Sequence, residues 1–142
     1  MDQGSSFVAS ILVLVPSGAL AGSAFRHLVD AQRFRAVLIV QGIVPYPLVA
    51  WTAAVVVAAE LACASLGVLA GMSALSDGRF VPIGLAVTSL MFVFAGYVAI
   101  LLLRGRPVPC GCFGSQKPAS FETVLRASVL GLAPVAAVVV SV

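Results

Sequence analysis

Four long, largely apolar stretches constrain this chain more than anything else in it. They run over about residues 7–25, 48–72, 81–103 and 124–142. Each holds roughly 19–25 residues, and about 20 residues of helix cover the roughly 30 Å of hydrocarbon in a bilayer. Hydrocarbon offers backbone N–H and C=O groups no partner, so a spanning segment must bond to itself as a helix. Hydrophobic residues make up 61% of the chain and charged residues 9%, with a mean hydropathy of +1.16. That balance excludes an ordinary soluble domain. The expectation is an all-α fold: an integral membrane four-helix bundle forming one domain over residues 1–142. The start, "MDQGSS", carries an acid and no basic n-region, so residues 7–25 read as a retained span rather than a signal peptide.

Between the first two spans lies "RHLVDAQRFRAVLIVQGIVPYP". Residues 36–72 are too long for one helix, and Pro45 and Pro47 break them. Residues 28–44 read as a short amphipathic helix, interfacial or re-entrant, with a turn at Pro45, Tyr46 and Pro47. Ser120 suits the N-cap of the last helix, with Glu122 in its first turn. Pro16 and Pro134 should kink their helices or mark local irregularity.

Charge gives an orientation. Arg26, Arg33, Arg35, Arg104, Arg106, Lys117 and Arg126, seven of the eight basic residues, fall on one side of a four-span arrangement. The positive-inside rule puts that side in the cytoplasm of a multi-pass cell-membrane protein. The net charge of +3 therefore reports topology rather than an acidic partner. No nucleic-acid motif and no phosphate-binding glycine loop is present.

Lipid tails are as apolar as leucine, so spanning helices associate through close packing and polar contacts. Gly18 and Gly22 form a GxxxG in the first span. Ala59, Cys63, Gly67 and Gly71 follow at i+4 steps down the second. Such ridges serve as seams inside a bundle or as docking faces for a partner, and a four-helix bundle needs several seams.

Glu60 is the one acid in mid-membrane. A charged side chain there costs roughly 2.5–3.5 kcal/mol on insertion scales, so it should face the interior, protonated or paired. Thr88, Ser89 and Tyr97 are the span-borne partners available. Glu60 then either fixes packing through an interhelical hydrogen bond, or acts as a proton relay or quinone contact. Cys63, at i+3, reads as small packing filler. A role as resolving thiol would need the loop cysteines to reach into the membrane.

The segment "RPVPCGCFGSQKP", residues 106–118, carries Cys110 and Cys112 in a Pro/Gly-rich loop. Exposed thiols near positive charge become useful nucleophiles, and Arg104, Arg106 and Lys117 are close in sequence. Gly111 lets the backbone turn between them. Bridging needs Cα atoms within about 7 Å, and a strained bond is readily reduced. A tiny closed ring also gains little from loop-closure entropy. Thiol–disulfide exchange is therefore the leading reading of this pair. A local structural disulfide, unrelated thiols and half a metal site stay open beside it. Zinc takes four ligands at wider spacing; His27 would add a third and no fourth is evident, so no metal site is assigned.

With these motifs in hand, the chain resembles the MauE/DoxX-like group of redox-associated membrane proteins, and most closely its MauE branch. The resemblance rests on "DAQRFRAVLIVQGIVP", on "AAELACASLGVLAG", and above all on "RGRPVPCGCFG" followed by "VLRASVLGL". It implies a four-helix integral membrane protein acting in maturation of a disulfide-rich partner alongside a thioredoxin-like protein. The family's cysteine pair maps onto Cys110 and Cys112, and its membrane acid onto Glu60. No enzyme activity is carried over, although the pair would suit a thiol–disulfide oxidoreductase. A quinone is the one cofactor considered.

The functional expectation is a membrane thiol–disulfide component that assists a thioredoxin-like protein or a disulfide-bearing client. The alternative is a non-catalytic accessory subunit docked in a larger membrane complex. A small transporter or lipid-binding protein built on Glu60 is the weakest, since one acid and no repeated half support it. One tension stands. Protein disulfides form in oxidising compartments outside the cytoplasm, whereas the charge rule puts the CGC loop inside.

Overall fold

The computed structural model describes residues 3–72, 80–105 and 120–141. Every regular element among them is helical: α1 Gln3–Val29, α2 Ala31–Gln41, a 3₁₀ turn Tyr46–Leu48, α3 Val49–Met72, α4 Phe80–Leu103 and α5 Phe121–Ser141. Four stretches are long and apolar enough to cross a membrane: Phe7–Val29, Tyr46–Met72, Pro82–Leu103 and Phe121–Val139. This is the expected multi-pass four-helix bundle with a short helix between the first two spans.

The boundaries differ from expectation in instructive ways. The first helix continues past residue 25 to Val29, carrying Arg26 and His27 with it. Nothing in "FRHLV" breaks a helix, and His27 is 5% exposed, so burial rewards the extra turn. Asp30 then stops α1 and starts α2. Its N–H bonds back to Arg26 O at 3.0 Å, and its side chain accepts the Arg33 N–H at 3.3 Å, an N-cap. Gly42 ends α2 in the left-handed region (φ 63°), donating to Ile39 O and Leu38 O. A Cβ there would meet the local backbone, which is why this C-cap position favours glycine. The expected turn at Pro45 to Pro47 becomes the 3₁₀ turn, with Leu48 N–H on Pro45 O at 2.9 Å.

The last helix opens at Phe121, three residues before the expected start. Ser120 caps it as anticipated, its Oγ accepting the Thr123 N–H at 3.4 Å. Glu122 pairs with Arg126 one turn on. Pro16 and Pro134 lie inside continuous helices and are fully buried. Pro134 packs on α4 at Gly84, where an added Cβ would sit 3.6 Å from the proline ring.

Three interior layers fix the helix directions. Ala9, Val13, Ala70 and Ala137 meet at one end, joining the start of α1 to the ends of α3 and α5. Leu20, Ala64, Val87 and Met91 form the middle. Leu38, Val49 and Ala53, with Phe34, Val44 and Tyr97, form the other end, where α2 lies against α3 and α4. Neighbouring spans are thus antiparallel. α1 packs between α3 and α5, and α4 packs mainly on α5. The end built with α2 is also the end where α4 finishes and α5 begins.

The α3 ridge is an internal seam. A Cβ on Gly67 would come 2.0 Å from Ser17 Oγ, and one on Gly71 would come 2.7 Å from the Leu14 side chain. Only glycine permits α1 and α3 to approach this closely. Gly18 and Gly22 behave differently. Both are exposed, and nothing lies within 4 Å of a Cβ built on either. The expectation of an intramolecular seam fails for this GxxxG, because the buried ridge of α1 runs through Val13, Ser17, Leu20, Ala24 and His27. A helix that buries that ridge turns Gly18 and Gly22 outward.

Candidate functional site: a buried Ser–His–Glu cluster

Glu60 has no exposed surface. As expected it faces the bundle interior, but its partners are on α1. Ser23 Oγ–H donates to Glu60 Oε1 at 2.8 Å. His27 Nε2 lies 3.3 Å from Ser23 Oγ and 3.8 Å from the same carboxyl oxygen. Ser23 and His27 are four residues apart and so share one face of α1. His27 is held from the other side by Phe34 of α2, its ring stacked at 3.8 Å and 23°. Three helices therefore contribute to one polar group cluster: α1 the hydroxyl and imidazole, α2 the stacking ring, α3 the acid.

The three partners anticipated for Glu60 are engaged elsewhere or stand apart. Ser89 bonds back to Leu85 O at 2.8 Å, the usual refuge of a serine in a lipid-embedded helix. Tyr97 donates to the Gln41 side chain, tying α2 to α4. Thr88 is buried and its Oγ has no hydrogen-bond partner. A span ending at residue 25 leaves His27 outside it, and Ser23, though inside, meets Glu60 only through the rotation of α1. The signal was available in the i, i+4, i+7 ridge from Val13 to His27.

One oxygen of Glu60, Oε2, is buried without a hydrogen-bond partner. A buried carboxylate is tolerated when charge or hydrogen bonds compensate it. Here compensation reaches only Oε1. A proton on the carboxyl, or a cationic His27 beside it, supplies the rest. Carboxyl, hydroxyl and imidazole lie within 3.8 Å of one another, and those are the groups that take up and hand on protons.

Cys63 is a free thiol, partly buried against the middle layer. It packs against the layer of Leu20, Ala64, Val87 and Met91. Cys110 and Cys112, the expected redox pair, lie outside the described residues, as do Arg106 and Lys117. Among the described residues no group of three or more His, Cys, Asp or Glu side chains is arranged to hold a metal ion.

A segment of 53 residues, 35% of this chain, is 47% identical to the methylamine utilization protein MauE of Paracoccus denitrificans. The aligned part spans 28% of that protein's length, well under two thirds of it. No solved structure matches the chain. The family described as methylamine utilisation protein MauE matches residues 5–140, nearly the whole sequence. The chain is a multi-pass membrane protein and belongs to the MauE family.

Proposed function

We propose that this protein is a membrane thiol–disulfide component that assists disulfide formation in, or maturation of, a partner protein through Cys110 and Cys112. The observation that carries the reading is the sequence CGC itself: two thiols separated by glycine, on a basic loop that follows a membrane span, in a member of the MauE family. In the exchange, Cys110 and Cys112 lose two electrons and two protons as they close their bond. A disulfide in the partner gains both and opens; the reverse exchange oxidises the partner. The partner is a thioredoxin-like protein or a disulfide-bearing client, and the family name points to a methylamine utilisation system as one setting. Arg26, Arg33, Arg35, Arg104 and Arg126 gather where α1 and α4 finish and α5 begins, and by the positive-inside rule this favours a cytoplasmic position for the CGC segment between α4 and α5 in sequence.

The test is the redox state of the pair in native membranes, trapped by thiol alkylation, together with client disulfides in Cys110→Ser and Cys112→Ser strains. The expected result is a mixed dithiol and disulfide population in the native protein and under-oxidised client in both variants. Full client oxidation in both variants overturns the reading. Labelling with a membrane-impermeant thiol reagent in intact cells, after reduction, reports the side.

A second reading is favoured by the outward Gly18 and Gly22. In this reading the protein is an accessory subunit, with that flat strip of α1 seated against a helix of a larger membrane complex. Stoichiometric co-purification with a partner, unchanged by loss of both loop thiols, supports it. Its loss in a Gly18→Leu variant is the expected companion result.

A further inference from the structure

We propose that His27, Ser23 and Glu60 form a proton relay that loads the buried carboxyl from the α2 end of the bundle. This inference does not rest on the thiol reading. Failure of either one leaves the other's test standing.

The hydrogen-bond polarity carries the proposal. A serine hydroxyl has one proton to donate. Ser23 gives it to Glu60 Oε1, at 2.8 Å. With that proton committed, the 3.3 Å contact between Ser23 Oγ and His27 Nε2 is satisfied by the Nε2–H tautomer or the imidazolium, which donates to Ser23. The donors thus form a compact chain: imidazole N–H to hydroxyl, hydroxyl O–H to carboxyl oxygen. A transfer along this chain moves one proton. His27 Nε2 gives its proton to Ser23 Oγ while Ser23 gives its own to Glu60 Oε1. An imidazolium and a carboxylate become an imidazole and a carboxylic acid, and the net charge of the cluster does not change. That neutrality matters where separated charges are costly.

The placement fits the role. His27 lies two residues from the end of α1, and Glu60 eleven residues into α3. At roughly 1.5 Å per residue, the acid sits about 16 Å inside the start of α3. His27 is almost enclosed, its ring covered by Phe34. Phe34 therefore guards the outer end. No competing charge intrudes among the described residues: the arginines, Asp30 and Glu122 are all exposed, Tyr97 is bonded to Gln41, and Cys63 packs in the middle layer. The unpartnered, buried Oε2 leaves the carboxylate charge uncompensated on one side, which favours the acid that the transfer to Oε1 produces. Among the described residues no third ligating side chain joins His27 and Glu60.

The experiment is infrared difference spectroscopy of the full chain in lipid nanodiscs, with rapid transfer from H₂O to D₂O. The wild type should show a carboxylic C=O band that is absent in Glu60→Gln and shifts promptly in D₂O. Ser23→Ala and His27→Gln should keep the band but slow its shift by about tenfold or more. Ser23→Thr, which keeps the hydroxyl, should restore the fast shift. A purely structural cluster would not distinguish Thr from Ala in exchange rate. If His27→Gln does not fold, as judged by size-exclusion and helical circular dichroism, the Ser23 pair decides alone. Two results overturn the proposal: no Glu60-dependent acid band from about pH 5 to about pH 9, or equal shift rates in the wild type and Ser23→Ala.

Discussion

Gly67 of α3 lies so close to Ser17 of α1 that a methyl group on it would sit 2.0 Å from the serine Oγ. Ser17 is itself fixed by a 2.7 Å bond to Val13 O one turn back, so it has little room to yield. The seam between these two helices is therefore set by the absence of a side chain.

Gly67→Ala should destabilise the bundle by about 1–3 kcal/mol, the usual cost of overpacking a tight interior. Gly18→Ala, on the open face, should leave stability within about 0.5 kcal/mol of the native protein. Unfolding in mixed micelles measures both. Equal losses would mean that the α1–α3 approach is looser than 2.0 Å implies.

Removing the Glu60 side chain should cost more than neutralising it. Glu60→Gln keeps an oxygen for Ser23 and nearly the same volume, and should fold with little loss. Glu60→Ala deprives Ser23 and His27 of their shared partner and opens a void, for an expected cost of about 2–4 kcal/mol. The ranking, read from the same micellar unfolding, is the content of the prediction. If Gln proves as damaging as Ala, the carboxyl charge itself holds the helices.

Tyr97→Phe removes the hydroxyl that donates to Gln41. An interhelical bond in a membrane is worth about 0.6–2 kcal/mol. The effect should appear locally, as faster hydrogen exchange in α2 with α1 and α3 unchanged. Uniform acceleration across all helices would show instead that α2 does not open by itself.

Cys63→Ala should leave the redox state of the loop pair unchanged, because Cys63 packs among Leu20, Ala64 and Met91 in the middle layer. The expected cost is about 1 kcal/mol of stability. Thiol trapping in native membranes checks it, and a shift of the Cys110–Cys112 couple on losing Cys63 would make that residue a third redox partner.

The spans were readable because apolar length is a coarse property that no tertiary contact has to supply. The end of α1 was not readable by the same measure. Arg26 and His27 look like loop residues to a hydropathy window, yet the helix continues because His27 finds Ser23, Glu60 and Phe34. The membrane acid was evident from its isolation among alanines and leucines. Its partners depended on the rotation of α1, which only the phase of Val13, Ser17, Leu20, Ala24 and His27 could reveal. The same rotation decided the fate of Gly18 and Gly22. The GxxxG pattern signals close approach to something, but not whether that something belongs to the same chain.

The layer of Ala9, Val13, Ala70 and Ala137 gives the bundle a floor of methyl and isopropyl groups. No side chain in that layer can hold water or hand on hydrogen. Among the described residues the polar cluster around Glu60 is therefore nearer the α2 end, and apolar packing separates it from the opposite end.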